Sequence, residues 1–416
     1  MAAPETTAPV SVPAGAEPTA RVEPTARVEP VQHGFQAHSD GGSAFVPVQT
    51  RSERFTSTSA DDFAAVTGLE FEWKFAPMAK IAHLTAEPLD GSVLEVSAEA
   101  VDGFAVDWIA RDDALIGAAG APEDRASANA WSSAEKALHI RVSGEEGGEL
   151  LVQRGGFGDT PRAAHVVIEA APNSRGTVIL EHSGDANLAE NVEIIVREGA
   201  QLTVVTVQEW EDSALHLSSH FATVGRDANL RHVIVSLGGS VVRVNPAIHL
   251  VEQGASTDAF GLYFADAGQF LEQRPYIDHV AANTRSRVNY KGALQGKGAH
   301  TVWVGDVLIG PHADGTDSYE QNRNLVLSEG TRADSIPNLE IETGNIVGAG
   351  HASSTGRFDD EQLFYLQSRG ISEEEARRLV VRGFLAEIIQ QIGSPALEER
   401  LAVAVEAELI RSQAAE

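Results

Sequence analysis

The stretch GAQLTVVTVQEWEDSALHLSSHFATVGRDANLRHVIVSL, residues 199–237, carries the pattern from which the fold of this chain can be predicted. It contains apolar runs such as QLTVVTV and LRHVIVSL, each about as long as one β-strand and bounded by turn-forming residues. Comparable runs, among them HVVIEA, NVEIIV and SVVRVN, continue on both sides from about residue 136 to residue 350. The sequence therefore predicts a mainly β fold with a long central all-β core over residues 136–350.

A turn followed by the opening of a strand recurs along this core at nearly equal spacing. The openings are GAQL at 199–202, DANL at 227–230 and GAST at 254–257, which lie 28 and then 27 residues apart. Near-regular repeats of this length are typical of a solenoid, or β-helix, in which each coil buries its apolar face only against its neighbours. A β-sandwich with evenly spaced strands is the alternative that the spacing leaves open.

The segments before the core differ from it in composition. Residues 1–48 are rich in Pro, Ala and Thr and repeat the hexapeptide EPTARV at 17–22 and 23–28. So few bulky apolar side chains cannot offset the entropy lost on ordering, and we predict a disordered tail. Residues 49–135 are predicted to form a separate N-terminal domain of mixed pattern. Their aromatic-rich stretch, which ends in EFEWKFAPM, is typical of a small core or a docking surface.

Helical signals replace the strand pattern near residue 350, and we predict a C-terminal helical domain over residues 351–416. Ser372 and Glu375 form a capping-box pair, and Gly370 suits the position just after a helix. Apolar residues then recur at four-residue spacing in two stripes, which could cover the core or bind another chain. The stripes are Ala376, Val380, Phe384 and Ile388, followed by Leu397, Leu401, Val405 and Leu409.

The composition argues against several classes of function. A net charge of −29 repels phosphate backbones and anionic lipids, so we expect neither nucleic acid nor a membrane as a partner. No run of about 18 apolar residues occurs, and the N-terminus lacks a signal-peptide pattern, so a cytoplasmic location is expected. The chain has no cysteine, which excludes disulfides and any metal or cluster site built from its own thiolates.

Common catalytic motifs are also missing from the sequence. The nearest approach to a P-loop, GALQGKG at 292–298, has the wrong spacing and no Ser or Thr after Lys297, so the chain should not hydrolyse ATP alone. GAGHAS at 348–353 lacks the third glycine of a dinucleotide-binding loop. Neither a G-x-S-x-G elbow nor an H-E-x-x-H helix occurs, which removes two common hydrolase signatures.

The acidic segment GDVLIGPHADGTDSYE, residues 305–320, offers oxygen and imidazole ligands for a divalent cation. A solvated acidic loop explains the same composition, and we favour that interpretation. His279 and His300 lie in the β region without a recognisable partner, so a hydrogen-bonded structural role is expected for both. The candidate cation ligands are Asp306, His312, Asp314, Asp317 and Glu320.

Long, ordered stretches of the chain resemble a known family. YKGAL at 290–294 and the run from TDSYEQ to FLAEII at 316–389 are similar to the core of the SufB/SufD family of iron–sulfur cluster assembly proteins. EFEWKFAPM at 70–78 is similar to the family's segment E-x-W-[RK]-[FY]-T-x-[LM], with Ala76 in place of the usual Thr. The resemblance implies a right-handed parallel β-helix (solenoid) core flanked by α-helical N- and C-terminal parts.

Within this family the chain is more similar to SufD than to SufB. SufB-like chains carry a thiolate-bearing cysteine and an E-H-E-A-T-T-S type segment, whereas this chain reads G-H-A-S-S-T-G at 350–356. FYLQSRGI at 364–371 also follows the SufD form, although many SufD sequences have a cysteine where this chain has Ala349. The resemblance implies a non-catalytic scaffold subunit that works with a SufB-like paralogue and a SufC-like ABC-type ATPase. The β-helices of SufB and SufD would pair, and C-terminal helices would dock the ATPase.

The resemblance also implies roles for individual residues. His351 matches a SufD histidine near the SufB interface, which makes it the candidate metal ligand for a nascent cluster; a hydrogen bond at the β-to-helix junction is the structural alternative. Imidazole can replace thiolate as an iron ligand. The implied cofactor is a transient iron–sulfur cluster shared with SufB, with none bound by this chain alone, and the isolated chain could form a homodimer. The candidate ATPase-docking residues are Val380, Phe384 and Ile388.

Two other functions stay open from the residues alone. A cytosolic carbohydrate-active β-helix enzyme would use clustered carboxylates such as Asp306, Asp314 and Asp317. SufB-type scaffolding by a homodimer is a second alternative, and the absence of thiolates in the sequence disfavours it.

Overall fold

The computed structural model describes residues 35–37, 45–47, 54–94, 96–358 and 360–413. Two short antiparallel strands, β1 (Phe35–Ala37) and β2 (Phe45–Pro47), precede the main body. The rest of the tail that the sequence predicts to be disordered, residues 1–48, lies outside the described residues. The main body is a mainly β solenoid of about eight coils, with helices at both ends of the chain.

One sheet of the solenoid runs along the side that faces the C-terminal helices, and we call it the first sheet. Each of its central strands is hydrogen-bonded to the strands of the preceding and following coils. Numbered in chain order, its strands are β3 (Ser97–Ala98), β6 (Glu149–Arg154), β8 (Arg175–Gly184), β10 (Gln201–Trp210), β12 (Asn229–Leu237), β14 (Ser256–Ala265), β17 (Arg285–Leu294), β19 (Asp317–Val326) and β21 (Gly348–Arg357).

The second sheet lies opposite and faces the N-terminal helices. Most of its strands alternate along the chain with those of the first sheet, whereas β4 and β5, and also β15 and β16, follow one another within the second sheet. They are β4 (Phe104–Ala110), β5 (Lys136–Val142), β7 (Gly158–Ala170), β9 (Ala186–Val196), β11 (Leu215–Val224), β13 (Val241–Leu250), β15 (Phe270–Gln273), β16 (Tyr276–His279), β18 (His300–Ile309) and β20 (Arg332–Ile341).

Successive coils stack in parallel register, which confirms the solenoid and excludes the sandwich. Gln201 pairs with Asn229 and Asn229 pairs with Ser256, so these coils contain 28 and 27 residues, as the repeat spacing predicts. The later coils are longer, because Arg285 pairs with Asp317, 32 residues further on. Parallel strands need such a crossover between them, whereas a sandwich of hairpins pairs its strands antiparallel.

Side chains alternate between the interior of the solenoid and its outer faces. On β10, Leu202 and Val204 belong to the interior apolar core, whereas Val205 and Val207 pack beneath the C-terminal helices. Because paired residues of parallel strands share a face, each interior residue stacks on its counterpart in the next coil. The register therefore shows which residues meet inside the solenoid.

The N-terminal region covers the outer face of the second sheet with a short 3-10 helix (Ala60–Asp62), α1 (Met78–Ala86) and α2 (Arg125–Ser133). Ile81 and Leu84 are fully buried in this contact. Trp73 is only 3% exposed and stacks on the guanidinium of Arg243 at 4.0 Å. The aromatic-rich stretch thus packs against the solenoid, which agrees with its interpretation as part of a small core.

Three C-terminal helices, α3 (Asp360–Ser368), α4 (Glu373–Ile389) and α5 (Pro395–Gln413), follow the last strand. The Ser372 side chain caps α4 by accepting a hydrogen bond from the Glu375 backbone N–H at 3.3 Å. Gly370 has a φ of +85°, the left-handed conformation expected just after a helix. These local signals are confirmed.

The stripe on α5 is confirmed, and the stripe on α4 is confirmed in part. Leu397, Leu401, Val405 and Leu409 are all buried against the first sheet. On α4, Ala376 and Ile388 of the predicted stripe are buried, together with Val381, Leu385 and Ile389. The other two stripe residues, Val380 and Phe384, are half-buried, and Phe384 packs against the same apolar cluster. Within the described residues, no helix is long and apolar enough to cross a bilayer.

Candidate functional site

His351 lies on β21, the last strand of the first sheet. The strand continues to Arg357, so His351 sits within a strand and not at a turn from strand to helix, and strand structure extends past the predicted boundary at residue 350. Its register partner is Glu320 on β19, which directs both side chains to the interior side of the sheet. The side chain of His351 is 44% exposed, because no further coil stacks on it among the described residues.

Glu320 lies beneath this histidine and is 1% exposed. Its Oε1 lies 3.7 Å from Nδ1 of His351, and within the described part of the chain neither carboxylate oxygen has a hydrogen-bond partner. Burial, and secondarily the charge of Asp306, raises the pKa of the Glu320 carboxyl well above its ordinary value of 4.5. An unsatisfied buried carboxyl costs stability, so this position calls for an explanation other than packing.

The acidic segment does not form one solvated loop. Asp306 lies in β18, is 5% exposed and accepts a hydrogen bond from Asn338 Nδ2 at 2.6 Å. Burial of Asp306 and Glu320 contradicts the favoured interpretation for these two residues. His312 is exposed. The remaining two carboxylates have separate partners, since Asp314 accepts from Thr343 and Asp317 accepts from Arg287.

This arrangement also bears on the alternative of a carbohydrate-active enzyme. Asp306 is buried in the second sheet, whereas Asp317 begins a strand of the first sheet and pairs with an arginine. Asp314 lies in the turn between them and bonds to Thr343. Asp306, Asp314 and Asp317 thus lie on three different elements and bond to Asn338, Thr343 and Arg287 respectively, an arrangement that does not favour a pair of them acting on one glycosidic bond.

A polar layer continues from Glu320 into the solenoid. Tyr263 Oη donates to Asn324 Oδ1 at 2.7 Å and accepts from Asn322 Nδ2 at 2.8 Å. Asn324 Nδ2 also reaches Thr355 Oγ1, on the same strand as His351, at 3.4 Å. The interior at the end of the solenoid that carries His351 therefore includes a layer of amide and hydroxyl groups.

A second buried polar cluster, which sequence reasoning missed, lies in the interior near the other end. Glu190, 1% exposed, accepts from Arg154 Nη1 at 2.5 Å and from His216 Nε2 at 2.8 Å. Burial would raise the pKa of Glu190, but the charge of Arg154 holds it well below its ordinary value. Burial lowers the pKa of His182 to about 4, so that imidazole stays neutral near pH 7.

This cluster has the ligand types of a metal site but already satisfies its own hydrogen bonds. Potential ligand atoms of His182, Glu190 and His216 lie within 4.8 Å of one another. Trp210 Nε1 donates to His216 Nδ1 at 3.2 Å, so Nε2 of that ring carries the proton it gives to Glu190. His182 Nε2 is 2.8 Å from Arg154 Nη1 and accepts from it. The nitrogens needed for a metal are occupied, and the cluster is a structural charge network.

The two unassigned histidines have hydrogen-bonded surroundings, as predicted. His279 is fully buried, with Nδ1 2.8 Å from Thr284 Oγ1 and Nε2 2.9 Å from Ser286 Oγ. His300 Nε2 lies 2.7 Å from Asp334 Oδ2. Both rings therefore have ordinary structural partners.

The three candidate docking residues on α4 differ in exposure. Ile388 is 0% exposed and packs against the first sheet, so we no longer keep it as a docking residue. Phe384 is half-buried beneath the ammonium group of Lys291, and Val380 is also half-buried. Larger exposed apolar side chains, which the stripe analysis missed, are Phe364, Tyr365, Leu379, Val403 and Ile410.

The interior position of Glu320 could not be read from its surroundings in the sequence. Strand DSYEQNRNLV is polar on both faces, so no apolar alternation shows which residues point inward. Arg154, His182 and Glu190 meet only through stacking of coils, since 28 residues separate the first two along the chain. A charged residue at an inward position of an otherwise apolar strand is the signal that could identify such a residue. Using this signal requires the register of the strand, which shows the positions that point inward.

Comparison with known proteins agrees with this architecture. Residues 154–384 match the family described as SUF system FeS cluster assembly, SufBD core domain. The chain is 46% identical over 380 residues to an iron-sulfur cluster assembly SufBD family protein of Mycobacterium leprae, covering 85% of this chain and 93% of that protein. It is 45% identical over 372 residues to one of Mycobacterium tuberculosis, covering 86% and 93%.

A more distant relative matches about half of the chain. An iron-sulfur cluster assembly SufBD family protein of Staphylococcus epidermidis is 31% identical over 201 residues, or 48% of this chain and 43% of that protein. The match to the core domain covers more than half of the chain and includes Glu190, Glu320 and His351. The chain belongs to the SufBD family of iron–sulfur cluster assembly proteins.

Proposed function

We propose that this chain is the SufD-like scaffold subunit of a cytoplasmic SufB–SufC–SufD complex and supports nascent cluster assembly and iron acquisition at the SufB–SufD interface. The observation that carries the proposal is the position of His351, a half-exposed imidazole on the terminal strand of the solenoid in a chain without cysteine. In this view the subunit has no turnover of its own, and ATP hydrolysis by the SufC-like subunit drives the complex.

The free end of the solenoid suits a SufB-like partner. Among the described residues, neither β20 nor β21 pairs with a further strand on its outer side. Edge strands with unpaired backbone groups readily accept a strand from another chain, and a second parallel solenoid could continue both sheets. A homodimer formed through the same edges is our expectation for the isolated chain.

The nascent cluster is cargo in this proposal, held jointly with the partner. One imidazole supplies one iron ligand, and this chain has no thiolate to add. The other ligands would come from sulfide and from thiolates of the SufB-like subunit. A complete cluster therefore needs ligands from both chains, which ties cluster assembly to the interface.

The test of this role is anaerobic co-expression with the SufB-like and SufC-like subunits, followed by measurement of iron and sulfide per purified complex. For His351→Ala we expect an intact complex with at least a several-fold loss of both, because a ligand is removed from an exposed position where little packing is lost. His312→Ala is the matched control, since that side chain is also exposed. Normal iron and sulfide in an intact His351→Ala complex would contradict the proposal.

The C-terminal helices are the proposed dock for the ATPase. Phe364 and Tyr365 on α3 are 72% and 57% exposed, an unusual exposure for adjacent aromatic residues. Val380 and Phe384 on α4, which are half-buried, stay as predicted contributors to the dock. Exposed aromatic side chains are frequent anchors of protein interfaces, so a partner would bury them on docking.

Phe364→Ser is expected to reduce capture of the SufC-like ATPase by about tenfold, which corresponds to roughly 1.4 kcal/mol. Leu69→Ser is the control, because Leu69 is 87% exposed in the N-terminal region. Co-purification of tagged chain with the ATPase measures the effect. Deleting residues 372–416 is a poorer test, since it would uncover the buried face of the first sheet. Equal capture by the Phe364 and Leu69 variants would contradict docking through α3.

A further inference from the structure

Glu320 and His351 have a geometry that suits one shared metal ion. They are register partners on neighbouring parallel strands, and Nδ1 of the histidine lies 3.7 Å from Oε1 of the glutamate. This separation is too long for a hydrogen bond. Two ligands bound to one ion at about 2.1 Å lie roughly 3 to 3.5 Å apart, so a small closure would bring both into coordination distance.

Among the described residues, no protein group occupies the position at the Glu320 carboxylate that a metal ion would take. Both oxygens of Glu320 lack hydrogen-bond partners within the described residues, although the side chain is 1% exposed. The space for it exists because residue 305 is glycine: a Cβ there would lie 2.5 Å from Glu320 Oε2. The chain thus maintains a buried, ionisable and unsatisfied group directly beneath an accessible imidazole.

Glu190, the other interior carboxylate, differs from Glu320 in its hydrogen-bond partners. Glu190 is equally buried, but Arg154, His216 and Ser218 satisfy its oxygens. No arginine or lysine forms an ion pair with Glu320 among the described residues, and its ion-pair contact is with His351. The same fold therefore satisfies one interior carboxylate internally and leaves the other open toward the end of the solenoid.

We propose that Glu320 and His351 together bind a ferrous ion at this end of the solenoid, with the glutamate as a second protein ligand. The inference rests on the proposed function for the choice of iron as the physiological ion. A carboxylate oxygen and an imidazole nitrogen are common ligands for Fe²⁺ and leave several coordination positions open. Those positions would accept water first and then sulfide or a partner's thiolate.

The site can be tested on the full isolated chain with Co²⁺, which accepts the same nitrogen and oxygen ligands. Equilibrium dialysis should show about one Co²⁺ bound per chain, and Glu320→Gln and His351→Ala should each weaken binding by about tenfold or more. His83→Ala, on α1 of the N-terminal region, should bind as the unmodified chain does. Glu320→Gln is also expected not to lower the midpoint of urea unfolding, because no hydrogen bond of the carboxylate is lost.

Two results would overturn the site. Co²⁺ binding by Glu320→Gln that equals binding by the unmodified chain would show that the glutamate is not a ligand. Weaker Co²⁺ binding accompanied by a clearly lowered urea midpoint would assign Glu320 a structural role. The two proposals are tested separately. Iron and sulfide content is measured on the complex, whereas Co²⁺ binding is measured on the isolated chain, so a negative result in the first test does not decide the second.

Discussion

Replacing Glu190 with glutamine is expected to lower the free energy of unfolding by about 3–5 kcal/mol. Glu190 and Arg154 are 1% and 5% exposed, and their ion pair is 2.5 Å long. The amide would leave the guanidinium buried without a counter-charge and would weaken the hydrogen bond from His216. Chemical denaturation near neutral pH, followed by tryptophan fluorescence, measures the loss.

An exposed ion pair provides the matched control for this change. Arg382 and Glu406 lie 2.9 Å apart with side chains 59% and 38% exposed, so Glu406→Gln should cost less than about 1 kcal/mol. Replacing Arg154 with methionine together with Glu190→Gln should cost less than the sum of the two single changes, because neither charge is then left alone. A loss for Glu190→Gln no larger than that for Glu406→Gln would contradict the argument.

Acid is expected to destabilise the chain strongly between about pH 6.5 and pH 4.5. Burial lowers the pKa values of His182, His232 and His279 from the ordinary 6.5 to about 4. Below pH 6.5 the unfolded chain takes up protons that the folded chain does not, so stability falls as the pH drops. Each histidine contributes a loss of up to about 3 kcal/mol across this window.

The histidine contribution can be isolated with a single variant. His232→Gln removes one buried imidazole, so the free energy of unfolding should fall less between about pH 7 and pH 4.5 than in the unmodified chain. His312→Gln, at an exposed position, should leave the pH dependence unchanged. The window ends above the range in which Glu190, whose pKa is lowered, would begin to lose its charge. An equal free energy of unfolding of the unmodified chain at both pH values would show that these histidines are not held in the neutral form by burial.

Local signals predicted the secondary structure well wherever one face is apolar. The repeat spacing gave the coil lengths confirmed by the pairing of Gln201 with Asn229, and Ser372 caps α4 as expected. On α4 the stripe is confirmed at Ala376 and Ile388, whereas Val380 and Phe384 are half-buried next to the fully buried Val381 and Leu385. The alternation also failed in β19, where polar residues occupy both faces.

The candidate site was only partly predictable. His351 was identified through the resemblance of its surroundings to the SufB/SufD family, and the structure adds that it lies on an edge strand above Glu320. Glu320 itself was assigned to a solvated loop, since the acidic segment gave no sign that β19 turns it inward. The partner of each interior charged residue depends on the register between neighbouring coils. Stacking of coils brings together residues about 30 positions apart in the sequence, such as Glu320 and His351.

The sequence by itself determined the strand and turn pattern, the coil length, the helix ends and the absence of thiolate chemistry. These properties follow from steric preferences, apolar periodicity and residue identity, which act over a few neighbouring residues. Only the tertiary structure decided that Glu190 pairs with Arg154 while Glu320, among the described residues, lies beside His351 and forms no ion pair with an arginine or lysine. The reason is that burial and charge pairing depend on the register between coils, and a shift of one residue would exchange the inward and outward side chains.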